Sequence, residues 1–200
     1  MRDGTLLPPV RPLPAGAAEV RSQVRGFLSA ERTAGRFVPA CDAWLSGWDE
    51  SFSRRLAERG WVGMTIPREY GGQGRSALER YVVVEELLAA GAPVAAHWVS
   101  DRQVGPNLLR YGSEPLKRRY LPPLLSADEI WCQGFSEPGA GSDLAGAQAS
   151  AVRQGDHWVI NGHKVWTSLA HFASWMIMLC RHDTKDKYNG LTYFIVPIAK

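Results

Sequence analysis

The apolar pattern of this chain changes period once, near Asp128, and that change limits the folds open to it. Before Asp128 the pattern is helical. Val20, Val24, Phe27 and Leu28, for example, recur at the i, i+4, i+7, i+8 spacing of one helix face. After Asp128 come short apolar runs between turn residues, at 130–135, 148–153, 157–160, 164–167, 173–180 and 191–196. Helices followed by strands segregate into layers or domains, so the expected class is α+β. The expected division is an extended, proline-containing tail (1–14), an all-helical domain (15–128), and a β-domain (129–200) built as an antiparallel sheet or barrel.

Local signals add detail. Ser76 with Glu79 makes a capping box for a helix running to Ala90. Its Leu78, Tyr81, Val82, Glu85 and Leu88 stripe is expected to be the buried side. Glu85 and Glu86 are adjacent and point about 100° apart, so they form no carboxylate dyad. Ser46 with Asp49 resembles a second capping box, and Pro122-Pro123 is expected to end the helix that begins after Ser113. Asn161-Gly162 between two apolar-rich runs predicts a type I′ hairpin. The returning strand would end in Trp166-Thr167-Ser168, with Trp166 and Ser168 on one face.

The stretch from Gln133 to Asp143 carries the chemistry. A strand-like run breaks at Glu137-Pro138-Gly139, and Gly139 and Gly141 are expected to adopt backbone angles closed to other residues. Loop N–H groups without a sheet partner gather at one spot and suit an anion. Ser136 and Ser142 add hydroxyls. A lone Gly-x-Gly is most often an ordinary turn. The indole of Trp166 and the hydroxyl of Ser168 raise the site above that level, toward a pocket for an aromatic heterocycle carrying phosphates.

Composition excludes other classes. A net charge of +3 is too small for nucleic-acid binding, and Lys117-Arg118-Arg119 reads as a solvated helix face. Three widely spaced cysteines with no C-x-x-C argue against a disulfide framework or a zinc site and fit a reducing cytoplasm. The five histidines make no metal-ligand pattern. The first residues lack a signal-peptide core, and no apolar run reaches membrane-spanning length.

Phe135-Ser-Glu-Pro-Gly-Ala-Gly-Ser-Asp143 followed by Ile160-Asn-Gly-His-Lys-Val-Trp-Thr-Ser168 resembles the flavin-binding middle domain of the acyl-CoA dehydrogenases. Gly60 through Gly74 extends the resemblance upstream. It implies FAD as cofactor, an acyl-CoA thioester as substrate, and α,β-dehydrogenation with hydride transfer to the flavin. It assigns cofactor binding to Gln133, Phe135, Ser136, Gly141, Ser142, Trp166 and Ser168. Gln133 stands where an aromatic is common, and Ser136 where most relatives carry threonine. Ser142 and Trp98 would touch substrate, Trp98 by shortening the acyl pocket. Asp143 would bond loop N–H groups.

The resemblance also implies a C-terminal helical domain that supplies the catalytic base. No carboxylate here matches that base, so no catalytic residue is assigned within the chain, and by the same resemblance the β-domain is expected to be incomplete. Expected partners are an electron-transfer flavoprotein and further subunits, as a homo-oligomer (dimer or tetramer) or a heteromer. Two alternatives stay open: a non-catalytic or partner-dependent FAD- and acyl-CoA-binding subunit, and an acyl-CoA oxidase or flavin monooxygenase relative.

Overall fold

A computed structural model describes residues 12–198; residues 1–11 of the expected tail lie outside them. Helix α1 (Ala15–Thr33) buries Val20, Val24, Phe27 and Leu28, the face its spacing predicts. A short helix α2 (Ala43–Ser46) precedes α3 (Glu50–Glu58). Asp49 caps α3 alone, its carboxylate accepting the Phe52 N–H at 2.8 Å. Ser46 ends α2 and takes no part in that cap, which corrects the second capping box.

Helix α4 (Ala77–Ala89) opens with the complete Ser76–Glu79 capping box. Its inward face is Val82, Val83, Glu86 and Leu87, whereas Tyr81 is 59% exposed and Leu78 and Leu88 also face out. The expected stripe is therefore rotated. Electrostatics explains it: Glu86 turns in because Arg25 binds its carboxylate through two bonds, at 2.8 and 2.9 Å, and Arg21 lies at 2.9 Å. A carboxylate so paired is tolerated beside a core that an apolar count alone assigns to its neighbours.

Helices α5 (Ala95–Val99) and α6 (Gly105–Tyr111) are joined by a π-helical turn over Ser100–Val104. Pro106 follows one residue later, after Gly105, and a ring without an N–H disturbs the preceding turn. Helix α7 (Glu114–Leu125) continues through Pro122 and Pro123 to bury Leu121, Leu124 and Leu125. The proline pair thus sits inside the last turns instead of ending the helix before them.

The sheet is five-stranded: β1 (Trp131–Gly134), β2 (Ser150–Gln154), β3 (His157–Asn161), β4 (Trp175–Arg181) and β5 (Leu191–Pro197). The α+β class holds, but the pairing is mixed where antiparallel was expected. Strand β4 is central. It runs parallel to β1, with Trp131 opposite Trp175, and antiparallel to β5, with Arg181 opposite Leu191. Strand β2 meets β4 at Ser150 and Arg181 and pairs with β3.

The Asn161-Gly162 hairpin does not form. The hairpin is β2–β3, turning at Gly155 with φ +64°. A Cβ at Gly162 would lie 2.4 Å from the Ala149 Cβ. That glycine lets the chain cross Ala149, so a tertiary approach overrides a local turn signal. Residues 164–167 form no strand.

One core lies within the helices, around Phe27, Phe52, Leu56 and Val83. A second joins helices to sheet. There Tyr120 meets Trp131 and Trp175 edge-on at 5.4 and 5.1 Å, and the two indoles stack at 5.9 Å. Helix α7 is thereby fixed on the face of β1 and β4. Among the described residues, no helix is long and apolar enough to cross a membrane.

Candidate functional site

The site forms where β1 leaves the sheet. Beyond Gly134 the backbone of Phe135 and Ser136 is held from the side by residues 164–165. Val165 N–H donates to the Ser136 carbonyl at 2.9 Å, and Lys164 Nζ donates to the Phe135 carbonyl at 3.0 Å. The same ammonium donates to Glu137 Oε1 at 2.8 Å. Glu137 also accepts the N–H groups of Gln148 and Ala149 at 2.7 and 2.8 Å. Both charged side chains are almost sealed from water, at 4% and 7% exposure. Burial by itself would raise the Glu137 pKa. The Lys164 bond and the two amide bonds outweigh it and hold the carboxyl below its ordinary value.

Glu137 is therefore the hub of the loop. Its backbone exchanges two bonds with Ala140, at 2.9 and 3.1 Å, closing residues 137–140 into a tight turn. The N–H groups of Gly139, Gly141 and Ser142 meet no acceptor among the described residues. Neither Gly139 nor Gly141 takes a left-handed conformation, and a Cβ at either would meet nothing within 4 Å. This corrects the expectation of special backbone angles. What the glycines provide is open space above bare amides. The Asp143 carboxylate takes the Lys187 ammonium at 2.8 Å, so binding of loop N–H groups falls to Glu137 instead.

The segment carrying Trp166 is a turn. Trp166 has φ +57° and Leu169 φ +66°, both uncommon for residues with side chains. Ser168 N–H donates back to the Trp166 carbonyl at 2.9 Å. Trp166 and Ser168 thus share a turn and not a strand face, and the indole is 89% exposed. Ser136 and the Trp166–Ser168 turn are brought together, through Val165. Gln133 and Phe135 precede them on the same segment, and Gly141 and Ser142 lie on the adjoining exposed loop. Trp98 sits apart, on α5, against Trp44 at 5.6 Å and beneath Arg102 at 4.5 Å. Its helix does contact β1.

The family model "Acyl-CoA dehydrogenase, N-terminal domain" matches residues 16–128, and "Acyl-CoA dehydrogenase, middle domain" matches 132–200. The chain belongs to the acyl-CoA dehydrogenase family. It is 40% identical over 188 residues to acyl-CoA dehydrogenase IpdE1 of Mycobacterium tuberculosis, covering 90% of this chain and 49% of that protein. Among solved structures, the Tcur3481-Tcur3483 steroid ACAD matches with a TM-score of 0.81 at 38% identity, over 93% of this chain and 48% of that one. A glutaryl-CoA dehydrogenase from Mycobacterium smegmatis, in complex with FADH2, matches with a TM-score of 0.77 at 26% identity, over 92% and 46%. The chain spans about half the length of the curated relatives it matches.

The residues present fit a flavin of the kind this acyl-CoA dehydrogenase fold carries in that complex. Gln133 Oε1 and Thr167 Oγ1 are buried without a partner. The bare amides belong to the loop that continues from β1, and the uncovered indole adjoins Thr167 in the chain. Buried polar atoms are normally bonded, so an orphan on β1 and another on the turn joined to its exit fit the polar edge of a ligand. Sequence reasoning missed Glu137 and Lys164 as a buried pair. A carboxylate wedged between Ser136 and Pro138 was the available signal, but its partner lies 27 residues away.

Proposed function

We propose that this chain is the helical and flavin-binding part of an acyl-CoA dehydrogenase-type oxidoreductase, divided near residue 128. The observation that carries the reading is the convergence of Ser136 with the Trp166–Ser168 turn, beside orphaned Gln133 and Thr167. When bound, FAD supplies the hydride acceptor for α,β-dehydrogenation of an acyl-CoA thioester. In this reading the Trp166 indole covers one flank of the ring. The Ser136 and Ser168 hydroxyls donate to its polar edge, which favours the electron-rich form. Gln133 and Phe135 complete the wall. The amides of Gly141 and Ser142 receive the diphosphate, and the Ser142 hydroxyl serves the substrate.

The nearby carboxylates are committed, Glu137 to Lys164 and Asp143 to Lys187. This supports a catalytic base supplied from outside these residues. We assign the holoenzyme further subunits, because the matched solved structures include the ChsE4-ChsE5 complex, and an electron-transfer flavoprotein as electron acceptor. The free cysteines Cys41, Cys132 and Cys180 support a cytoplasmic setting; burial pushes the Cys132 thiol up to about 11.

Titration of the purified chain with FAD, followed by flavin fluorescence, tests the reading. Saturable quenching is expected, weakened roughly 2- to 10-fold in Trp166→Ala, as the loss of an aromatic stack worth about 0.5–1.5 kcal/mol implies. An unchanged flavin signal at excess chain would overturn it. For Trp98, we assign a role in limiting the acyl group. Trp98→Ala in the complete enzyme is expected to shift kcat/KM toward longer acyl chains, and an unaltered profile would remove the assignment.

A further inference from the structure

The turn that carries Trp166 and Ser168 is held at three places, and one belongs to the helical part of the chain. At its start Val165 is bonded to Ser136, and at its end Ser174 N–H donates to the Ile130 carbonyl at 2.8 Å. The turn therefore runs alongside β1. Between those anchors two residues occupy left-handed backbone conformations, which persist only when their surroundings over-determine them. The third hold is Phe172, whose ring stacks on Trp48 with centroids 4.3 Å apart and planes 20° from parallel.

Trp48 has a firm base for this. The Gly47 carbonyl accepts the Ala95 N–H at 3.1 Å, which ties the segment to the start of α5. Asp49, on its other side, caps α3. Trp48 is half-buried, and the ring it meets is 38% exposed; the neighbouring His171 ring lies 4.0 Å from it, and Trp48 is the contact that comes from the helical part.

We propose that Trp48 is a positioning residue: its stack on Phe172 lets the helical domain set the conformation of the turn bearing Trp166 and Ser168. The inference rests on the flavin reading above for its functional half. Its structural half, that the stack orders residues 165–173, stands independently. The site is then built across both domains. The β-domain presents the loop, and the helical domain fixes its shape.

Hydrogen–deuterium exchange and FAD titration on the full chain test this together. Phe172→Ala changes an exposed residue and leaves both cores intact. Trp48→Ala removes the other ring, and Trp48→Phe restores an aromatic face. Faster exchange confined to 165–173 is expected in both alanine variants, with FAD affinity falling roughly 2- to 10-fold, the range an aromatic pair supports. Trp48→Phe is expected to recover most of both. Unchanged exchange in the alanine variants would overturn the proposal. Faster exchange with unaltered FAD affinity would overturn its functional half. Failure of the wild-type chain to bind FAD would instead overturn the flavin reading, while the exchange data still decide whether the stack orders the turn.

Discussion

Replacing Glu137 with alanine is expected to lower stability by about 3–5 kcal/mol, the usual consequence of removing one partner of a buried ion pair. The mutation strands the Lys164 ammonium, which is 4% exposed, and leaves the Gln148 and Ala149 amides without their acceptor. Urea unfolding followed by tryptophan fluorescence measures the loss. Glu137→Gln keeps an acceptor but not the charge and should fall between. Adding Lys164→Met to Glu137→Gln is expected to recover part of the loss, since a stranded charge costs more than a neutral replacement. A loss below about 1 kcal/mol for Glu137→Ala, the scale of a surface pair, would show that the pair is not the hub described here.

The same carboxylate gives a pH signature. Its pKa in the folded chain lies below the ordinary 4.5. A group depressed in this way contributes stability that is complete above the unfolded value and is lost as pH falls through the folded one. Wild type should therefore lose stability below pH 4.5 more steeply than Glu137→Gln, whose side chain has no proton to take up there. Parallel acid limbs in the two proteins would contradict the assignment.

The sequence made some features legible and hid others for physical reasons. The α1 face and the Ser76–Glu79 cap were readable because both are set within one or two helical turns. The change from helix to strand was readable because period is a local property. The rotation of α4 was not, because it depends on Arg21 and Arg25, which lie 61 or more residues from their carboxylate partners. Asn161-Gly162 misled because Gly162 answers to Ala149 and not to a hairpin. At the candidate site, residue types singled out Ser136 and Trp166–Ser168, segments that the fold joins through Val165, but with a different local geometry. Strand alternation alone predicts that the indole and hydroxyl share a face. A strained turn, bonded at its two ends to Ser136 and Ile130 on either side of β1 and stacked on a helical-domain tryptophan, places them instead.

Arg181 is the second residue whose loss should be severe. It lies at the end of β4, is 8% exposed, and has no carboxylate partner among the described residues. Its guanidinium instead donates to backbone carbonyls of two loops: Ala145 and Ala147 at 2.5 and 2.9 Å, and Asp183, Asp186 and Lys187 at 3.4, 3.2 and 3.1 Å. The first loop follows directly from Gly141 and Ser142. One planar fork thus ties the segment after Ser142 to the 183–187 loop, which a point-like ammonium cannot span. Arg181→Met is expected to cost roughly 2–6 kcal/mol, as the Ala145 and Ala147 carbonyls each lose a partner worth about 1–3 kcal/mol. Arg181→Lys should rescue little of this, because one ammonium reaches only one loop. Both variants should be nicked faster by trypsin at Lys185 and Lys187, where the chain is exposed. They should also bind FAD more weakly, because the amides of Gly141 and Ser142 lose their support. A lysine variant with wild-type stability and protease resistance would show that charge alone suffices and that the fork geometry is not what holds the two loops together.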